Sequence, residues 1–446
     1  MKGLTKKELI LVSMMLFSMF FGAGNLIFPP FLGLQAGENV WISIIGLLIS
    51  AVCLPILGVV AIAQLGSFTA LASRVHRSFA LIFPLIIYIS IGPALAIPRA
   101  SSLAFESGMQ PFLPKEIAMN PMVLFVYTLV FFSIVTWLCM SPSKLVDRMG
   151  KLLTPTLLII IGMIFISSFV TPMDTFAKPE GLYQTQPVFK GFLEGYLTMD
   201  CLAALVYGIV VANAIRAKGI NDRQVLSRSI INAGVGTGVL LSSIYMILAY
   251  LGAASSSIDK AENGAQVLAY IMNHLFGSYG IMILGVVFTI ACLCVSIGLI
   301  TSCSQYFFTI FKKISYRAWV VILSILSMAI ANLGLTQIIK ISGPILGLIY
   351  PVAIVLIFLG LLDRWFKGSQ VVYLTTITMV ALYSILEMIN QTLLSKQWES
   401  IFIKLPLYTE GIGWVLPSIA AFLIGLVISK FKKNQQQSHI SLKESA

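Results

Sequence analysis

Charge is what this chain has least of. Only 10% of its 446 residues are Asp, Glu, Lys or Arg, whereas a soluble domain carries about a quarter. No polar stretch is long enough to fold by itself, so the whole of 1–446 reads as one membrane domain rather than two or three soluble ones. Histidine is scarce too: His76, His274 and His439 fall in loops or the tail, which argues against an intramembrane imidazole relay. Each of the six cysteines (Cys53, Cys139, Cys201, Cys292, Cys294, Cys303) sits inside an apolar run, where structural disulfides are not expected. The Cys292-x-Cys294 spacing turns its thiols to different helix faces with no histidine beside them, so zinc has no support. GxxxxGK[ST], HExxH and GxSxG are absent, and no acids, bases or metal ligands cluster within the apolar runs. ATP-driven pumping, enzyme chemistry and a bound cofactor are therefore not expected.

What is present is apolar length. At about 20 apolar residues per crossing, twelve spans are expected, near 5–36, 40–66, 79–105, 121–140, 144–172, 190–213, 224–252, 279–311, 317–335, 341–362, 371–393 and 412–432. The longest polar loop, Pro172 to Lys190, divides them. Lys2, Lys6 and Lys7 before the first run imitate a signal peptide, but no convincing small-residue cleavage site closes it, so it reads as a retained helix.

The net charge of +12 could suggest nucleic acid, but the basic residues alternate by loop. Of 29 Lys and Arg, 21 fall on the N-terminal side, Arg74, Arg77, Arg216, Lys218, Arg223, Lys312 and Lys313 among them, and seven opposite. Both termini are thus expected in the cytoplasm, with Lys430, Lys432 and Lys433 at the anionic inner leaflet of a multi-pass cell-membrane protein. No nucleic-acid partner is needed. Trp41, Trp137, Trp319, Trp365, Trp398 and Trp414 all fall near span ends, where an amphipathic ring suits the headgroup layer.

Phe21-Gly22-Ala23-Gly24-Asn25, followed by Pro29-Pro30, interrupts the first span midway. Lipid offers a broken helix no hydrogen bonds, so such a break needs a cavity or ligand. The amides of Ala23, Gly24 and Asn25 would then meet an anionic group, while Phe21 and Ser18 offer carbonyls to a monovalent cation. The alternative is a close-packing glycine face with a proline kink. In the eighth span the Gly298 carbonyl and the Thr301 and Ser302 hydroxyls share a face and would complete a sodium site; alternatively the hydroxyls bond back to their own helix. The sixth span holds Asp200, an expensive intramembrane carboxylate. Arg99 in the third span lies at similar depth, so an Arg99–Asp200 pair is expected, with Asp200 structural or part of a gate rather than the partner of a substrate amine. Glu387, near the outer end of the eleventh span, carries little functional weight.

The segments FFGAGNLIFPPFLGLQAG (Phe20 to Gly37), TMDCLAALVYGIVVANAI (Thr198 to Ile215) and SIGLITSCSQYF (Ser296 to Phe307) closely resemble the branched-chain amino acid–cation symporters, also called branched-chain amino acid transport system II carriers. The similarity runs from the first span to the twelfth. It implies sodium- or proton-driven uptake of leucine, isoleucine and valine across a bacterial plasma membrane. The implied fold is all-α with twelve transmembrane helices, on the LeuT-like five-plus-five inverted repeat of the amino-acid–polyamine–organocation superfamily. The first repeat would be 5–172, the second 190–362, two extra helices 371–432 and a tail 433–446. Position by position, Gly22, Ala23, Gly24 and Asn25 match the unwound carboxylate-binding stretch, and Thr301 and Ser302 the hydroxyl pair of a cation site. The sixth helix departs from the pattern: Thr198 to Asp200 carries no glycine-rich break.

The expected mechanism is alternating access by a monomer, with sodium (alternatively a proton) ordering the first-helix break for the amino acid. The substrate's side chain would lie between the first and sixth helices near Thr198 and Tyr207. Rival readings are a carrier of another small zwitterion and a channel.

Overall fold

The computed structural model describes residues 3–118, 120–140, 154–171, 173–258, 261, 263–394 and 397–444. Lys2, Pro172 and the opening 144–153 of the expected fifth span lie outside them. Among the described residues every regular element is helical.

The first span is two helices. α1 (Lys6–Phe20) starts on a capping box, with Thr5 Oγ1 accepting from the Glu8 amide and Glu8 Oε2 accepting from the Thr5 amide. It ends where Phe21 turns extended at φ −73°, ψ 96°, and α2 (Ala23–Ala36) restarts beyond an equally extended Gly22. Pro29 and Pro30 lie inside α2, and each removes one donor from its ladder. The further helices that position the site or stabilise the fold are α3 (Val40–Leu48), α4 (Ala96–Gly108), α5 (Pro121–Cys139), α6 (Pro187–Thr198), α7 (Asp200–Arg216), α8 (Arg223–Ala253), α9 (Ser278–Ile310), α10 (Gln370–Thr392) and α11 (Val415–Glu444).

Among the described residues eight helical stretches are long and apolar enough to cross a bilayer, or nine if α6 and α7, bent by 47°, count as one. One of the eight, Gly24–Leu65, is 42 residues long, twice what a crossing of about 20 residues needs. Gly37 divides it at φ 47°. The segments Leu158–Val170 and Tyr316–Ala331 are apolar but shorter. Among the described residues helix length alone therefore yields fewer spans than hydropathy: α1 is only 15 residues long, and Gly24–Leu65 joins apolar runs that hydropathy counts apart.

The chain divides into two compact units, Met1–Val59 with Ile87–Gly343, and Val60–Ile86 with Pro344–Ala446. In the first, glycines let main chains touch. A Cβ at Gly33 of α2 would land on the Ala249 carbonyl of α8, and one at Gly252 of α8 on the Pro30 carbonyl of α2. Gly46 and Gly191 do the same between α3 and α6, meeting the carbonyls of Val188 and Ser43. With no hydrophobic effect acting between helices in lipid, close van der Waals packing supplies the attraction.

In the second unit α10 and α11 pack along one another, Thr375 donating to the Ala421 carbonyl at 3.3 Å. Asp363 takes the Tyr373 hydroxyl at 2.9 Å and an ion pair with Arg74 at 3.5 Å.

Large apolar side chains are exposed where lipid would cover them: Val130 of α5 is 55% exposed and Val170 80%. Exposure of that kind suits a bilayer and not water. Trp41, Trp137, Trp365 and Trp398 are exposed as expected of interfacial rings. Two tryptophans differ: Trp414 is buried, and Trp319 stacks on Phe307 and Phe311 at centroid distances of 5.0 and 5.7 Å. All six cysteines are free thiols, five of them buried.

Candidate functional site

Two helix breaks meet at one cavity. At the first, the amides that open α2 have no intrahelical partners, and the Asn25 side chain covers one donor just ahead of them: its Oδ1 accepts from the Gly22 amide at 2.9 Å. Gly22 itself is required by crowding, since a Cβ there would stand 2.8 Å from two carbons of Val295 on α9.

The second break is a correction to the sequence reading, which saw none between Thr198 and Asp200 for want of glycine. Met199 supplies it in the left-handed region, at φ 65°, ψ 10°, between α6 and α7. A side chain there costs of order 1–3 kcal/mol and persists only where neighbours over-determine it. Those neighbours are visible. Thr198 Oγ1 donates to the Gly195 carbonyl at 2.8 Å, and Arg99 Nη1 of α4 donates to the Leu197 carbonyl at 2.8 Å. The guanidinium thus sits at the negative end of α6, where a cation is favoured. Met199→Val, β-branched at a positive φ, should consequently lower thermal stability by about 1 kcal/mol more than Met199→Gly, which loses the buried side chain's packing but relieves the backbone. Melting of the detergent-solubilised protein checks the order, and Val melting above Gly would contradict it.

Asp200 is the first residue of α7 and is 3% exposed. Its Oδ2 accepts from Asn25 Nδ2 at 2.5 Å and from the Tyr245 hydroxyl of α8 at 3.1 Å. Asn25 Nδ2 also donates to the Tyr245 oxygen. A buried carboxylate is tolerated when paired in this way. Asn25 therefore joins the two breaks through one side chain.

The cavity is lined by Gly22, Gly24 and Asn25 from the first break, Thr198, Met199 and Asp200 from the second, Arg99, and an apolar wall that includes Met19, Phe20, Tyr207, Val295 and Leu299. Its free volume is about 20 Å³. That is room for about one water. Arg99 lies 5.7 Å from the Phe28 ring centroid, and a Cβ at Gly24 would approach its Nη2 to 3.1 Å. Tyr207 is wholly buried, its ring 5.5 Å from Phe20, its hydroxyl without a hydrogen-bond partner among the described residues.

Of the residues expected to hold substrate, Gly22, Gly24, Asn25, Thr198 and Tyr207 border this cavity, as do Arg99 and Asp200. Ala23 contributes backbone at the start of α2. The five expected around a cation, Ser18, Phe21, Gly298, Thr301 and Ser302, do not line it. Gly298 lies beside two lining residues, since a Cβ there would stand 3.6 Å from the Tyr207 hydroxyl and 3.5 Å from Met19 Cγ. Ser18 donates to the Met15 carbonyl at 2.9 Å, Ser302 to that of Gly298 at 2.8 Å, and Thr301 to Cys139 Sγ at 3.6 Å. Sequence reasoning missed Tyr245 and Met199. The signal for Tyr245 was a tyrosine within an apolar span, whose hydroxyl needs a partner once buried.

The comparisons agree with this architecture. Over 95% of the chain the fold matches Mhp1, a nucleobase-cation-symport-1 family transporter solved in a closed conformation, with a TM-score of 0.61 at 12% identity and 92% of that chain covered. A manganese transporter of Eremococcus coleocola matches with a TM-score of 0.57 at 14% identity, covering 94% of this chain and 95% of that one. The chain thus has the fold of the LeuT-like transporters. Among relatives in sequence, the branched-chain amino acid permease BraB of Bacillus subtilis is 45% identical over 96% of this chain and 97% of its own. The branched-chain amino acid transport system 2 carrier protein of Pseudomonas aeruginosa is 39% identical over 95% and 96%. With the family model described as branched-chain amino acid transport protein matching residues 5–432, the chain belongs to that family of transporters.

Proposed function

We propose that the protein is a secondary active symporter that imports leucine, isoleucine and valine with a coupling cation, sodium in the first instance, by alternating access. The observation that supports it most is the meeting of two helix breaks at one buried cavity in a chain of this family. The amides opening α2 present partial positive charge, which suits a substrate carboxylate. Met19, Phe20, Val295 and Leu299 offer an apolar wall to an aliphatic side chain. Arg99 and Asp200 border the same space and read as opposite charges that neutralise one another across it. Branched aliphatic side chains differ by about a methylene, worth roughly 1–3 kcal/mol in a pocket, so all three amino acids are accepted.

A cavity of about 20 Å³ cannot hold leucine, so binding requires its walls to part. That requirement fits a carrier whose site opens to one side at a time. We further propose twelve crossings arranged as a five-plus-five inverted repeat with two additional helices, both termini in the cytoplasm as the charge asymmetry requires, and a monomer that uses no ATP. Sodium would bind between α1 and α9, taking carbonyls of Ser18, Phe21 and Gly298 with the Thr301 and Ser302 hydroxyl oxygens. Oxygen ligands of this kind suit a hard cation.

Labelled leucine uptake into proteoliposomes, with sodium and proton gradients imposed separately, tests the proposal. Uptake driven by neither gradient would overturn it. Thr301→Ala and Ser302→Ala should each raise the sodium concentration for half-maximal uptake about five- to tenfold, the worth of one hydroxyl ligand at about 1 kcal/mol or slightly more, at unchanged expression. An unaltered sodium dependence in both variants would remove the cation assignment.

A further inference from the structure

The Asp200 carboxylate is held on one side and presented on the other. Two side-chain donors, Asn25 Nδ2 and the Tyr245 hydroxyl, converge on Oδ2; Oδ1 takes neither of them, and the side chain borders the cavity. Gly22, Gly24 and Asn25, from the opening of α2, border the same space. We propose that Asp200 Oδ1 receives the substrate's ammonium group, with Asn25 and Tyr245 as positioning residues that fix its rotamer, so that the site selects zwitterions over simple carboxylates. The assignment rests on the transport reading given above and names what the sixth helix adds to it. It departs from the expectation that Asp200 serves only as structure or gate.

Charge balance favours it. Arg99 and Asp200 leave the cavity wall neutral, and a zwitterion adds no net charge. A simple carboxylate would instead bring an unpaired negative charge beside Asp200, in a buried cavity with room for a single water. Position supports it as well. Asp200 stands at the start of α7 and is the one carboxylate among the residues that line the cavity. The cationic end of a substrate therefore has one anionic group to meet in this cavity.

The test is competition for labelled leucine by unlabelled leucine and by 4-methylpentanoate, which is leucine without its amino group, on detergent-solubilised full-length protein. A charge-assisted hydrogen bond to a buried group corresponds to about a 10- to 150-fold preference for leucine in the wild type. Asp200→Asn should bring that ratio close to one, and Tyr245→Phe should lower it part of the way while leaving the preference for leucine over alanine intact. A wild-type ratio near one, or a wild-type ratio preserved in Asp200→Asn, overturns the assignment. If Asp200→Asn does not fold, the wild-type ratio and Tyr245→Phe decide: an unchanged ratio in Tyr245→Phe then counts against it. Failure of the wild type to take up leucine under any gradient would defeat the transport reading instead, because the binding ratios are measured without transport.

Discussion

Asn25→Ala is expected to lower leucine uptake about 100-fold at equal surface expression. The side chain makes three bonds at once, to the Gly22 amide, to Asp200 Oδ2 and to the Tyr245 oxygen. Losing the helix cap costs about 1 kcal/mol, and leaving a buried carboxylate short of a donor costs about 1–3 kcal/mol. Together these approach 3 kcal/mol, which is about two orders of magnitude in an equilibrium constant. The loss falls on the joint between the two breaks, so it should appear in affinity and rate more than in the amount of folded protein. Asn25→Asp should be no better, since it sets a second carboxylate against the first. Initial uptake rates, normalised to purified protein, provide the check. Uptake within a few-fold of wild type in Asn25→Ala would mean that the joint does not serve the site.

Gly252→Val should remove most of the folded protein. A Cβ at that position would stand 2.0 Å from the Pro30 carbonyl oxygen, and the opposing Gly33 leaves α2 no room to retreat, because a Cβ there would stand 2.0 Å from the Ala249 carbonyl oxygen. Overpacking costs of 1–3 kcal/mol are measured where side chains give way; here main chain opposes main chain, and about 3 kcal/mol or more is expected. Gly347→Ala is the control, with nothing within 4 Å of its added Cβ. Monodisperse yield in detergent and the melting temperature separate the two. Equal behaviour of Gly252→Val and Gly347→Ala would contradict the close approach.

How much of this was legible beforehand differs by element. The break at Phe21 and Gly22 was visible because glycine and asparagine in an apolar run conflict with a helix in lipid. Asp200 and Arg99 were visible for a similar reason, as ionisable groups where solvation is poor. The break at Met199 was not. Its left-handed backbone is held by contacts from Thr198 and Arg99 rather than by a permissive residue, and local composition carries no trace of that. Tyr245 is 45 residues from Asp200 in sequence, so its role depends on how α8 lies against α7 and α2. Thr301 and Ser302 share a helix face as their spacing requires, but their hydroxyl hydrogens are used on Cys139 and Gly298, which spacing does not reveal. Twelve apolar runs were readable from hydropathy, whereas the Gly37 turn and the two breaks decide how those runs divide into helices.

The glycine contacts between α2 and α8 also bear on motion. Gly33, Pro30 and Asn25 lie on one of these helices, and Ala249, Gly252 and Tyr245 on the other. With no side-chain cushion between them, a tilt of either is handed to its neighbour undiminished, and the Asn25 to Tyr245 hydrogen bond rides along intact. The pair behaves as a welded lever. If the cavity opens as proposed, it comes apart along its other seams, where Asn25 and Tyr245 let go of Asp200 on α7 or where Gly22 slides from Val295 on α9, and a crosslink between α2 and α8 would leave that cycle running.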